Sequence, residues 1–262
     1  MKYELIPSDV KGLYRVKALR DFGDVKKGDV GGYVQSEKNL SHEGNCWIYE
    51  NAKVYGYAEV YDNAKVYKNA KVYDNAMVYG NAKVYGNAKV CGGAEVSCNA
   101  KVYGNASVCG AAKVSGNALV CGDAWVYQNA KVYYNAKVFG DAEVRGNAEV
   151  RGKAKVYSDA KVYGNAKVYG NAKVGGNANV YGYAEICGDA VVESNGDYIV
   201  FKNFWSSGRF FTWTRSNDMW RVGCFYGSGE ELIKKAYKDS MDSGMQYEAV
   251  VNYVENVVKK FN

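Results

Sequence analysis

From Asn51 to Ser194 apolar and polar residues alternate on a beat of the form Asn-Ala-Lys-Val-Tyr-Gly, 144 residues that divide into 24 hexads without insertion or deletion. Alanine fills the second place every time, from Ala52 to Ala190, and valine the fourth every time except at Ile186. Residues two apart point to the same side of a strand, so Ala and Val share one face and the Lys between them takes the other. The Tyr-Gly-Asn or Tyr-Asp-Asn that follows tolerates positive φ and turns the chain every hexad. An amphipathic helix needs apolar residues at about 3.6-residue spacing, which this beat does not supply. Three such sides close a triangular coil of 18 residues, with Ala and Val inside and each strand paired to the coils above and below. The hexads thus predict eight coils of a single-stranded parallel β-helix over residues 51–194. At about 4.8 Å per coil the prism is roughly 38 Å long.

The flanks depart from the beat. Residues 1–50 read as an N-terminal β cap and first coil, and Val34, Leu40, Cys46 and Ala52, six apart, bring the chain into register through Asn45 to Glu50. Residues 195–262 read as a small α+β module. In it Tyr198 to Phe201, Phe210 to Arg215 and Met219 to Phe225 are expected strands, the last two joined around Ser216-Asn217-Asp218 as a hairpin. Ser228 and Glu231 form a capping box before Leu232, Ile233, Ala236 and Tyr237. A second helix is expected from about Gln246 to Lys260, with Val250, Tyr253, Val254 and Val257 on one face. The fold class is mainly β.

The alternating Ala and Val with an Asn-Ala corner resemble the left-handed hexapeptide β-helix superfamily, in which an aliphatic residue is followed four places on by a small one, as in Val54 and Ala58 or Val66 and Ala70. Tyr commonly stands after Val where that superfamily often has Gly. The segment from Tyr14 to Tyr49, with Asp-Phe-Gly-Asp-Val-Lys-Lys-Gly-Asp-Val-Gly-Gly-Tyr-Val and Leu-Ser-His-Glu-Gly-Asn-Cys-Trp-Ile-Tyr, resembles the N-terminal part of YdcK-like β-helix proteins. The resemblance implies a left-handed coil. Proteins of that group are described as transferases on fold analogy, which says little about activity. The C-terminal module resembles one found in uncharacterised phage and mobile-element proteins.

Composition narrows the chemistry. No apolar run approaches the roughly 20 residues of a membrane-spanning helix, and Met1 to Val10 lack a signal peptide's basic start and apolar middle, so a soluble cytoplasmic protein is expected, in the host cytoplasm if phage-encoded. Seven cysteines, an odd number without paired short spacings, favour reduced thiols. Cys91 and Cys109 stack on neighbouring coils and read as weakly reactive surface thiols. The single histidine, His42, removes every multi-histidine metal site, and neither metal nor cofactor is expected. Acyltransferases of the hexapeptide class use a histidine base and a loop extruded from the coil. His42 lies before the strict repeats, nothing is extruded from Asn51 to Ser194, and no cysteine has an evident base, so the residues predict no catalytic centre.

Charge points to binding instead. The repeats hold 17 basic and 12 acidic residues, so most of the net charge of +6 belongs to the solenoid. Every third hexad places Lys65, Lys83, Lys101, Leu119, Lys137, Lys155, Lys173 and Val191 in one column, flanked by Tyr67, Tyr85, Tyr103, Cys121, Phe139 and Tyr157. The six lysines could meet a polyanion, with Tyr67, Tyr85, Tyr103 and Tyr157 as stacking planes. The plainer reading is that outward lysines keep the prism soluble and the tyrosines pack along a strand ladder. The expectation is a non-enzymatic β-solenoid that engages a host macromolecule, a protein rather than a nucleic acid, as a phage or mobile-element accessory protein, including as an inhibitor of a bacterial defence system. The alternatives are a hexapeptide acyltransferase and a self-assembling homo-oligomer that stacks end to end.

Overall fold

A computed structural model describes residues 1–205 and 208–260 of the chain. Each hexad gives its third and fourth residues to a two-residue strand, as in Lys65–Val66, Lys83–Val84 and Lys101–Val102. Strands 18 residues apart pair in parallel, Val84 lying between Val66 and Val102. Repeated along the chain, this pairing builds three parallel sheets. The first face runs from Lys53–Val54 to Asn179–Val180, the second from Glu59–Val60 to Glu185–Ile186, and the third from Trp47–Ile48 to Val191–Val192. The third face has nine strands, so a turn below Asn51 adds to the eight coils of the strict repeat.

The backbone shows why six residues suffice for a side. Lys65 and Tyr67 donate to the carbonyls of Ala82 and Val84 on the next coil (2.9 and 3.0 Å), Asn69 donates to Gly86 (2.9 Å), and Ala70 turns back to Tyr67 (3.4 Å) to close the corner. Almost every polar main-chain group is satisfied this way, as a buried backbone requires. The second- and fourth-place side chains from Ala52 to Val192 are buried. Each buried valine contributes roughly 1.5–3 kcal/mol, and the small alanines let the three walls close on one another. At the corner before the third face, asparagine amides climb from Asn63 through Asn81, Asn99 and Asn117 to Asn135, each Nδ2 donating to the next Oδ1 at 3.1–3.3 Å.

Entry into the coil differs from the expected register. Val34 pairs with Val54 and Leu40 bridges to Val60, a separation of 20 residues, whereas Ile48 pairs with Val66 at 18. Val34 and Leu40 therefore occupy the valine place rather than the alanine place of Cys46. Two extra residues are taken up between Leu40 and Trp47, around His42. Strands β1 (Tyr3–Pro7), β2 (Tyr14–Ala18) and β3 (Val30–Val34) form an antiparallel ribbon whose last strand joins the first face in parallel. Buried Tyr3, Val16 and Trp47 close that end of the core.

The other end is closed by an antiparallel sheet of Tyr198–Lys202, Phe210–Thr214, Met219–Val222 and Phe225–Gly227. The strand expected over Met219 to Phe225 is in fact two, because Gly223, at φ +57°, turns the chain between them. Helix α1 (Gly229–Asp239) starts at the Ser228–Glu231 capping box. Helix α2 (Met241–Lys260) begins before Gln246. It buries Val251 and Val254, while Tyr253, placed on the inner face by the sequence reading, is 67% exposed. Helices and sheet share a core of Phe211, Trp213, Trp220, Leu232 and Val251, and Tyr198 and Val200 lie against the last coil. Both ends of the prism are thus covered, which removes the bare coil that end-to-end stacking would use.

The expectation of surface thiols fails at one place. Cys91 and Cys109 form a disulfide across neighbouring coils of the first face. The strand spacing holds their Cα atoms 4.6 Å apart, within the range a disulfide spans. Among the described residues no helix is long and apolar enough to cross a membrane.

Candidate functional site

The third face brings Lys65, Lys83, Lys101, Lys137, Lys155 and Lys173 into one column, interrupted only by Leu119 and ended by Val191. Their surroundings are not equal. Lys65 is tied to Asp24 of the cap at 2.7 Å and lies over the Tyr49 ring. The other five have no ion pair among the described residues. On the remaining faces, by contrast, Lys113, Lys131, Lys161 and Lys167 each face a glutamate one coil away. Apart from Lys65, the lysines of the third face keep their charge uncompensated, since its strands carry no glutamate.

The tyrosines beside them are arranged otherwise than a set of stacking planes. Tyr67, Tyr85 and Tyr103 lie face to face with centroids 4.7 and 4.8 Å apart and planes within 6°. Phe139 and Tyr157 stack at 5.5 Å. Rings packed on one another present their edges and hydroxyls outward, and the π-faces a base would need are taken. Tyr157 leans across Gly175, where any Cβ would enter its ring, to donate to Glu193 at 3.1 Å. The hydrogen bond with the Cys121 thiol and partial burial push the Tyr103 hydroxyl up to about 12. Burial likewise raises the Tyr67, Tyr85 and Tyr157 hydroxyls, so these tyrosines are neutral at physiological pH.

His42 sits in the enlarged first turn, half-buried, its ring stacked on Tyr3 at 4.2 Å and its Nδ1 accepting the Lys2 backbone N–H at 3.3 Å. Beside it the buried Lys2 ammonium reaches the carbonyls of Glu43 and Cys46 and the Cys46 sulfur at 3.0–3.3 Å. Burial pushes the Lys2 amine down and the Cys46 thiol up. This cluster knits β1 to the first turn. Among the described residues no group of His, Cys, Asp or Glu is placed to hold a metal ion.

Residues 70–86 and 112–128, both inside the strict hexads, match the YdcK β-solenoid repeat. The match covers these two stretches of the solenoid. The chain is also 47% identical over 38 residues to the uncharacterized acetyltransferase YdcK of Escherichia coli (strain K12), a stretch covering 14% of this chain and 12% of that protein. The chain thus spans about an eighth of the length of that protein, and residues 51–194 carry no histidine.

A second polar constellation lies where the solenoid ends, and sequence reasoning missed it. Glu185 on the second face accepts from Lys167 (3.1 Å) and Tyr169 (2.9 Å) within the solenoid and from Arg221 of the C-terminal sheet (3.0 Å). Burial alone would raise its pKa, but these hydrogen bonds outweigh it and hold the carboxyl below the ordinary glutamate range. Arg151 and Arg221 both lie over the Tyr169 ring. Lys167 and Tyr169 meet Glu185 within the solenoid, 18 and 16 residues away, and Arg221, 36 away, joins them once the module docks. The spacing of 18 between Lys167 and Glu185 was the one available signal.

Proposed function

We propose that the chain is a non-enzymatic β-solenoid whose third face binds an acidic macromolecular surface. The observation that carries this is the column of Lys83, Lys101, Lys137, Lys155 and Lys173, free of ion pairs among the described residues, on a wall that is straight by construction. A rigid wall loses little backbone entropy on meeting a complementary row of anions, so the cost of binding falls mainly on the lysine side chains. A protein surface suits this wall better than a nucleic acid, since the stacked tyrosines offer edges and hydroxyls rather than faces for bases. The resemblance of the C-terminal module to phage and mobile-element proteins is the ground for looking for the partner among host macromolecules, defence proteins included.

The test replaces these five lysines with Gln and titrates both proteins with poly-glutamate, single-stranded DNA and duplex DNA at two salt concentrations. The reading expects salt-dependent binding of poly-glutamate by the native chain, weaker response to DNA, and loss of both in the variant with folding unchanged. Equal binding by the two proteins overturns it. The similarity to YdcK supports a second reading, acyl transfer. That reading expects turnover of an acyl-coenzyme A donor abolished by His42→Ala, whereas a His42 that only stacks on Tyr3 leaves binding untouched in the same variant.

A further inference from the structure

The junction between solenoid and C-terminal module encloses a cavity of about 260 Å³. Asn165, Lys167, Tyr183 and Glu185 line it from the second-face side of the last coils, and Arg209, Phe210 and Arg221 from the module. Glu185 is the one carboxylate among these lining residues, and its oxygens are already engaged by Lys167, Tyr169 and Arg221. Arg221 is held fast, its Nε on Glu185 and its Nη1 on the Cys224 carbonyl at 3.2 Å. Asn165 spends its Oδ1 on Asn147 (3.2 Å), so its amide nitrogen remains to donate. The Arg209 guanidinium is exposed and has no partner among the described residues.

Three cations therefore face one saturated carboxylate, with an amide donor beside them. Such a set is rich in donors and short of acceptors, which complements an anion bearing several oxygens. Arginine forks suit the geometry of a phosphoryl group, and an arginine pre-held by Glu185 loses less freedom on binding it. Beside this set Tyr183 and Phe210, stacked on one another at 4.3 Å, contribute aromatic edges to the wall. The volume lies just below the roughly 300–1,000 Å³ of clefts that hold drug-sized ligands, which favours a compact occupant over a dinucleotide-sized one.

We propose that this junction is a binding site for a small organic phosphate monoester, the phosphoryl group lying among Lys167, Arg209 and Arg221 and the carbon skeleton against the edges of Tyr183 and Phe210. The site is independent of the lysine wall, being on another face and built in part by the module. It also gives the docking of the module a consequence beyond closing the core.

Calorimetric titration of the full chain at low salt with ribose 5-phosphate, ribose and inorganic phosphate tests it. The expected order is ribose 5-phosphate tightest, inorganic phosphate weaker and ribose undetected. Arg209→Gln, which removes an exposed and unpartnered cation, is expected to weaken ribose 5-phosphate about tenfold or more with no change in melting temperature, as loss of one charged hydrogen bond implies. Tyr183→Ala is expected to weaken ribose 5-phosphate while leaving inorganic phosphate unchanged. No heat with ribose 5-phosphate at millimolar concentration, or equal affinity in Arg209→Gln, overturns the site. Inorganic phosphate binding as tightly as the ester overturns the monoester assignment.

Discussion

The sixth place of the hexad carries a backbone cost that each residue meets differently. The chain is left-handed there at Gly104 (φ +74°), and also at Lys68 (φ 61°) and Tyr134 (φ 60°), which are not glycine. An L-residue in that region costs roughly 1–2 kcal/mol. Asp62 and Asp74 recover part of it, since their carboxylates accept the N–H of Gly80 and Gly92 one coil on (3.0 and 3.2 Å). Lys68 has no such return. Lys68→Gly is therefore expected to raise stability by about 0.5–1 kcal/mol, after allowing for the extra freedom glycine gives the unfolded chain. Gly104→Ala runs the other way, because its Cβ would also stand 2.9 Å from the Gly122 carbonyl oxygen. A loss of about 2 kcal/mol or more is expected there, both variants being read by urea unfolding. At this scale the strict places were legible in the sequence: Ala and Val recur because the second and fourth places are buried against the other walls, while the sixth place, most often Gly, also takes Asp, Lys and Tyr. The disulfide was less legible, since a spacing of 18 says only that two thiols stack and not that they join.

Among the elements, the solenoid strands are copies of one another and the exceptions lie where the beat stops. The first turn looked regular in sequence because Val34, Leu40, Cys46 and Ala52 keep a spacing of six, yet the two residues taken up around His42 shift the first two into the valine place. Composition could not reveal this, for a buried Leu or Val fits either place. On α2, the valines are spread round the helix and only the docking of the sheet selects Val251 and Val254 over Tyr253. The contact between the second face and the C-terminal sheet rests on Glu185, with Thr212 Oγ1 accepting the Glu185 N–H at 3.0 Å. A carboxyl whose pKa is depressed on folding contributes stability that is present above its unfolded value, about 4.3, and is lost as the pH falls through the lower folded value. Protease cleavage within residues 209–227 is therefore expected to rise as the pH drops through and below that range. In Glu185→Gln the junction should be weaker at neutral pH and show a shallower acid dependence.

For the whole molecule, the hexad is the unit of folding and the coil is the unit of surface. Deleting Asn129 to Gly146, one coil, should leave a shorter prism with its columns aligned, so that Lys155 follows Leu119 on the third face. Deleting only Asn129 to Tyr134 should also fold, since any hexad can pair with any other, but every later column moves round by one face. Glu143 and Lys161 then continue the column that Lys65 to Leu119 begins, and the wall of like charge is cut in half. Small-angle scattering should find both proteins folded and slightly shorter, and only the second should lose salt-dependent binding of poly-glutamate. Eight coils of nearly equal strength between two different caps also make the protein a spool. Drawn apart from its ends, it would pay out chain in equal lengths, each coil releasing roughly 60 Å at 3.3–3.6 Å per extended residue. The Cys91–Cys109 link would withhold one such length, a knot in the thread that only a reductant unties.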